Sequence, residues 1–197
     1  MRKLLGLVLV ITLLCGCNES FLPLRFIKLL DRSKMVFTEP DGYTRKESIQ
    51  NNKLGCELAY IHPFDKFKIL YNIQPMDLIL NEYQKHVSNP DSSENIVNPN
   101  QFYHNKFKSI MLNISDGQSH EYTIFTSAAA KNEFNADWGA TALVTVGKEF
   151  GMGYKYCYII CIHKDNLADA YIYCLADDVN LLKNELRKIA HNLKFMQ

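Results

Sequence analysis

Residues 154–162 (YKYCYIICI) are apolar at both parities of an extended chain. Tyr154, Tyr156, Tyr158, Ile160 and Ile162 would share one face, and Cys157, Ile159 and Cys161 the other. Side chains alternate across a strand with a period of two, so a half-solvated strand shows polar residues at every second position. This one does not. A strand apolar on both faces has to be covered on both sides, and the neighbouring runs 140–150 and 169–175 read the same way. The chain must therefore build a central sheet with a helical layer on each face.

Helices to cover it are legible. Pro75 suits a first helical position and opens a helix over 75–87, with Met76, Ile79, Leu80, Tyr83 and Val87 on one stripe. A last helix spans 178–193 behind Asp177 as cap, with the stripe Val179, Leu182, Leu186, Ile189 and Leu193 and with Arg187 and Lys188 toward its negative end. A short helix from Pro23 puts Phe26, Leu29 and Leu30 on one face, to pack on the domain or to touch a membrane. Ser127 can cap another, through Ala128 to Phe134, which residues 135–139 end.

The rest reads as strands and turns. Residues 35–37 form a short strand, and Pro40-Asp41-Gly42 a turn. Runs 55–62 and 66–73 make a hairpin about Pro63-Phe64-Asp65, and runs 107–115 and 120–126 a second across Asp116-Gly117. Residues 88–100, polar with two Asn-Pro pairs, form a long surface loop. The expectation is an α+β fold with a mainly antiparallel sheet of six or seven strands and helices on both faces. Nothing repeats and there is one core, so residues 35–197 are expected to be a single domain.

The N-terminus supplies an address. Arg2 and Lys3 precede a run over 4–14, apolar except for Gly6 and Thr12. That is about half the roughly 20 residues a spanning helix needs, and it matches the apolar core of a secretory signal. Leu14-Cys15-Gly16-Cys17 follows and resembles the lipobox of bacterial prolipoproteins, with Cys15 where Ala or Ser is more usual. The resemblance implies cleavage between Gly16 and Cys17 and a diacylglyceryl group on Cys17. Residues 1–16 are then a signal peptide and 17–34 a lipidated N-terminal segment. Two acyl chains hold stably, at ~0.8 kcal/mol per buried methylene. An ordinary secreted protein is the alternative, but no Ala-x-Ala-like site is nearby. Asn18 in place of Asp favours an outer over an inner membrane, on a periplasmic or surface face of the cell envelope.

Cys56, Cys157, Cys161 and Cys174 remain after processing. An even count in an oxidising envelope invites disulfides. Four strand residues, however, put Cys157 and Cys161 about 13 Å apart, beyond the roughly 7 Å a disulfide allows. If His163 pairs with Asp169 across the last turn, Cys174 faces Tyr158 and Cys157 points to the other side; a one-residue slip would oppose Cys157 to Cys174. Buried free thiols are the favoured reading, and no His or second Cys stands at metal-ligand spacing.

The element order resembles the PsbP-like α/β/α sandwich, on Phe37-x-x-Pro40-x-Gly42-Tyr43, the terminal strand trio and the final amphipathic helix. Phe134-Asn-Ala-Asp-Trp138, with the lipobox, is similar to lipoproteins of gut Bacteroidetes. Such families mostly bind or assist other proteins, which implies a scaffold rather than a reaction.

Chemistry is sparse. The sequence has no Gly-x-Ser-x-Gly elbow, His-Glu-x-x-His or phosphate-cradling glycine loop; Gly151-Met-Gly153 reads as a turn. The mature chain balances 20 basic against 21 acidic side chains, without the basic stripe nucleic acid requires. No cofactor is expected. Asp137 and Trp138 are interaction candidates, since aromatic residues dominate interface hot spots; a core plug is the other role for Trp138. The expected function is a lipid-anchored, non-catalytic module that binds an envelope or secreted macromolecule, immunity against a secreted toxin being one version. An envelope enzyme needs several of Asp137, His62, His120 and His163 to converge. A glycan binder needs exposed Trp138 beside tyrosines.

Overall fold

A computed structural model describes residues 21–46, 53–89, 97–150 and 153–197. The lipobox-like residues 14–17, with Gly16 and Cys17, lie outside the described residues, as do most of the polar loop and Gly151-Met152. The elements run α1 (Leu24–Ser33), β1 (Met35–Phe37), β2 (Thr44–Lys46), β3 (Leu58–Ile61), β4 (Phe67–Pro75), α2 (Asp77–Ser88), a 3-10 turn (Pro99–Gln101), α3 (Tyr103–Ile114), β5 (Tyr122–Ile124), α4 (Ser127–Phe134), β6 (Trp138–Thr145), β7 (Tyr156–Lys164), β8 (Ala168–Ala176), α5 (Val179–Ile189) and β9 (Leu193–Phe195).

The fold is α+β. A seven-stranded antiparallel sheet has the order β2-β3-β4-β8-β7-β6-β5, and β1 pairs with β9 in a separate two-stranded clasp. Every residue of the central β8 is buried, which is the physical content of its two-sided apolar pattern. On one face Ile69, Tyr71, Ile160, Ile162 and Ile172 pack under Phe26 and Leu30 of α1, Phe134 of α4 and Leu182 and Ile189 of α5. On the other, Leu70, Ile159, Tyr171 and Tyr173 pack under Phe107, Met111 and Ile114 of α3. The register is the expected one, with His163 opposite Asp169 and Tyr158 opposite Cys174. All four described cysteines are buried, Cys174 in the first core and Cys157 and Cys161 in the second, and none of these three forms a disulfide.

Several expectations are corrected. The hairpin over 107–126 does not form, because residues 103–114 are helical. Tyr103, Phe107, Ile110, Met111 and Ile114 fall at helical spacing, and without α3 the second face of the sheet would be bare. Asp116 and Gly117 do take the left-handed conformation of a tight turn (φ 52° and 82°), but they end a helix, with the Gly117 N–H donating to the Leu112 carbonyl at 2.8 Å. Trp138 opens β6 and is not a loop residue. Pro75 closes β4 opposite Ala168 and does not start α2.

The caps shift by one residue. Thr126 caps α4 and Asp178 caps α5, while Asp177 accepts from Lys66 and from the Lys155 N–H. The last helix stops at Ile189, and Leu193 is recruited to β9. On α2 the expected stripe is mostly outside the core: Met76 and Leu80 are buried, but Ile79 and Val87 are 49% and 63% exposed.

Candidate functional site

A dense grouping of polar and aromatic side chains sits at the end of the sheet where β7 turns into β8. Antiparallel pairing of His163 with Asp169 puts an imidazole and a carboxylate side by side, both about 1% exposed. His163 Nδ1 lies 2.7 Å from Asp169 Oδ1, and Nε2 lies 2.9 Å from Asp165 Oδ1. Lys106, reaching down from α3, donates to Asp169 Oδ2 at 2.7 Å. Tyr103, one turn earlier on α3, stacks on the His163 ring with centroids 4.1 Å apart. Trp138, opposite His163 on β6, packs on Tyr103 and His104.

The turn is itself braced. Asn166 adopts φ 62°, and it exchanges two 2.9 Å hydrogen bonds with Asn100 of the 3-10 turn. Asp137 accepts from the Asp165 N–H, and its own N–H donates to the His163 carbonyl.

Charge follows from this geometry. Burial alone would lower the His163 pKa, but its bonds to Asp169 and Asp165 outweigh burial and hold it above the usual imidazole value. Burial would raise Asp169; His163 and Lys106 outweigh it and hold the carboxyl below the usual range. Both imidazole nitrogens and both Asp169 oxygens are thus engaged, whereas a general base must offer a lone pair to substrate. This cluster clamps α3 and the β7–β8 turn onto the end of the sheet. Its open end is Asp165, whose side chain is 58% exposed.

Of the residues an enzyme would need, Asp137 and His163 come together. His62 does not: it accepts from the Asp65 N–H in the β3–β4 turn, at the opposite end of β4, where Phe67 faces Ala176. His120 precedes β5, whose Tyr122 pairs with Ala142, so it also lies toward that opposite end. Among the described residues no group of three His, Cys, Asp or Glu side chains is arranged to hold a metal ion. Trp138 is only 9% exposed, and its ring fills core space in the second core beside Phe107. Its Nε1 has no hydrogen-bond partner among the described residues.

Sequence reasoning missed the surface beside this clamp. Between α2 and α3 runs a cleft of about 650 Å³, lined by Met76, Leu78, Ile79, Pro99, Phe102 and Ile110 among others, with Lys106 as its charged wall. Leu78 is 67% and Phe102 38% exposed, and the apolar surface continues along α2 to Val87. The signal was present in α2, whose wide apolar stripe exceeds what one buried face of a short helix uses.

A scan of the chain against protein-family models and a search of the curated proteins return no match.

Proposed function

We propose that this protein is a lipid-anchored component of a bacterial cell envelope, tethered through Cys17 and acting as a non-catalytic binding module, with the α2–α3 cleft as its contact surface. The observation that carries the binding half is the solvent-facing apolar stripe of α2 beside Phe102. Apolar patches of this kind on a stable fold mark contact sites. The occupant that fits is an apolar, helix-sized segment of an envelope polypeptide. From Ile79 to Val87 the stripe extends about 12 Å along the helix axis, which suits a chain segment lying in a groove better than a compact ligand. The anchoring half is supported by the short charged start, the eleven-residue apolar run and Leu14-Cys15-Gly16-Cys17.

The test places a photo-reactive residue at Ile79 of the lipidated protein in its own envelope, with the same residue at Glu121 as the remote comparison. A single polypeptide trapped from Ile79 but not Glu121, and lost in Phe102→Asp, is expected. That polypeptide, purified, should slow hydrogen exchange in α2 and α3 selectively. No position-specific product overturns the cleft as a contact surface. Absence of incorporated labelled palmitate in wild type, compared with Cys17→Ser, overturns the anchor.

A further inference from the structure

The geometry points to a second contact, the outward face of α1 lying against the bilayer that holds Cys17; this rests on the lipid-anchor reading. The helix divides cleanly. Phe26, Leu30 and Ser33 are buried against the sheet, so at 100° per residue the opposite face carries Leu24, Arg25, Lys28 and Arg32, with Asp31 beside them. Just before it, Phe21 is 83% exposed, and Leu24 is 66% exposed. The Arg25 side chain is 82% exposed, 3.9 Å from Glu57, and Lys28 also faces solvent. Arg32 is spent on Asp77, in a two-pronged bond at 2.6 and 2.9 Å.

Chain length makes the membrane the occupant. Four Cα steps separate Cys17 from Phe21, so their Cα atoms cannot lie more than about 14 Å apart. Acyl chains on Cys17 fix that residue at the edge of the hydrocarbon, beneath a headgroup layer about 6 Å deep. Phe21 and Leu24 are then within reach of headgroup level, and the gain from inserting exposed apolar side chains seats them there. With Phe21 and Leu24 seated there, Arg25 and Lys28 on the same outward face of α1 come within about one Debye length, ~8 Å, of anionic phosphates. The core-facing stripe of α1 is already occupied, so this contact is a shallow footing and not an inserted helix.

The experiment uses the mature lipidated protein in phosphatidylethanolamine–phosphatidylglycerol vesicles, with a nitroxide on Phe21→Cys, Leu24→Cys or Ile124→Cys. The buried thiols do not compete for the label, and Ile124 lies four strands from β4, roughly 19 Å across the sheet. Labels at Phe21 and Leu24 should be relaxed by oxygen more than by an aqueous nickel complex, and the label at Ile124 the reverse. Adding Arg25→Glu and Lys28→Glu should bring Leu24 to the Ile124 value. If mass spectrometry finds the lipid on Cys17 and Phe21 and Leu24 still read as water-exposed, the footing is wrong while the anchor stands. If Cys17 carries no lipid, the anchor fails and the footing with it.

Discussion

Glu57 is a residue whose ionisation works against the fold. Its carboxylate accepts from the Ile73 N–H at 3.3 Å and lies 3.9 Å from Arg25, yet its side chain is only 8% exposed. Burial dominates both favourable contacts and pushes its pKa up to about 7. A carboxyl with a raised folded pKa binds more protons in the native than in the unfolded state, so stability falls as pH rises from about 4.5 toward 7. Glu57→Gln should therefore flatten this slope and leave the variant more resistant to urea than wild type at pH 8. Denaturation midpoints at pH 5 and pH 8 check it; an equal shift at both pH values would sink the argument.

The His163 clamp has the opposite signs on its two partners. His163, with its pKa raised, contributes stability that is fully present below about pH 6.5 and lost as pH rises through its folded value. Asp169, with its pKa lowered, contributes stability present above about pH 4 and lost as pH falls through its folded value. The pair is therefore strongest between those limits. Asp169→Ala leaves a buried imidazolium and Lys106 without their shared carboxylate, a change that costs about 3–5 kcal/mol in buried pairs. Chemical denaturation at pH 5.5 and at pH 9 should show the larger loss at pH 5.5.

At the scale of elements, the three-stranded centre was readable because a strand buried on both faces erases the polar alternation that would otherwise mark it. The register followed from one turn, since Lys164 to Ala168 leaves little freedom in pairing His163 with Asp169. Residues 107–115 read as a strand because Phe, Ile and Met suit a buried strand as well as a buried helix, whereas 103–114 form α3. The Asp116-Gly117 pair, a hairpin signal, is also a way to leave a helix in left-handed geometry. The tie-breaker was tertiary: the second face of the sheet needed a cover. β2 is illegible because Thr44-Arg45-Lys46 is polar at both parities, and β9 because Leu193 continues the helical stripe of α5. For the cleft, the width of the α2 stripe is legible, but which part of it stays exposed depends on what α2 packs against.

Gly139 gives an element-scale prediction. A Cβ at this position in β6 would lie 2.4 Å from Cδ2 of Phe125 and 3.2 Å from the Cys161 carbonyl oxygen. Phe125 is stacked parallel on Phe134, 5.6 Å between centroids, so it cannot yield without disturbing α4. Gly139→Ala should cost about 1–3 kcal/mol, the usual range for overpacking. The double variant Gly139→Ala with Phe125→Leu should recover part of that loss in urea melts.

For the whole molecule, the β1–β9 clasp joins the two ends of the described chain. Leu193 and Phe195 are 0% and 1% exposed, and they share the first core with Met35 and Phe26. The clasp is fastened from three sides: the Thr38 N–H donates to the Asn192 carbonyl, the Met196 N–H to the Lys34 carbonyl, and Asn135 Nδ2 to the Met196 carbonyl. It thereby ties α1, the helix nearest Cys17, to α4 and α5. Losing a buried Leu and a buried Phe costs on the order of 2–5 and 3–5 kcal/mol, against a total of about 5–15 kcal/mol for a domain. A chain ending at Asn192 should consequently unfold at much lower denaturant than the full chain. Where it still folds, hydrogen exchange should accelerate first in α1 and β1, which lose their cover, while β7 and β8 stay protected. Uniform acceleration across the sheet would mean that the clasp is part of a single cooperative unit, not a separable lock on α1.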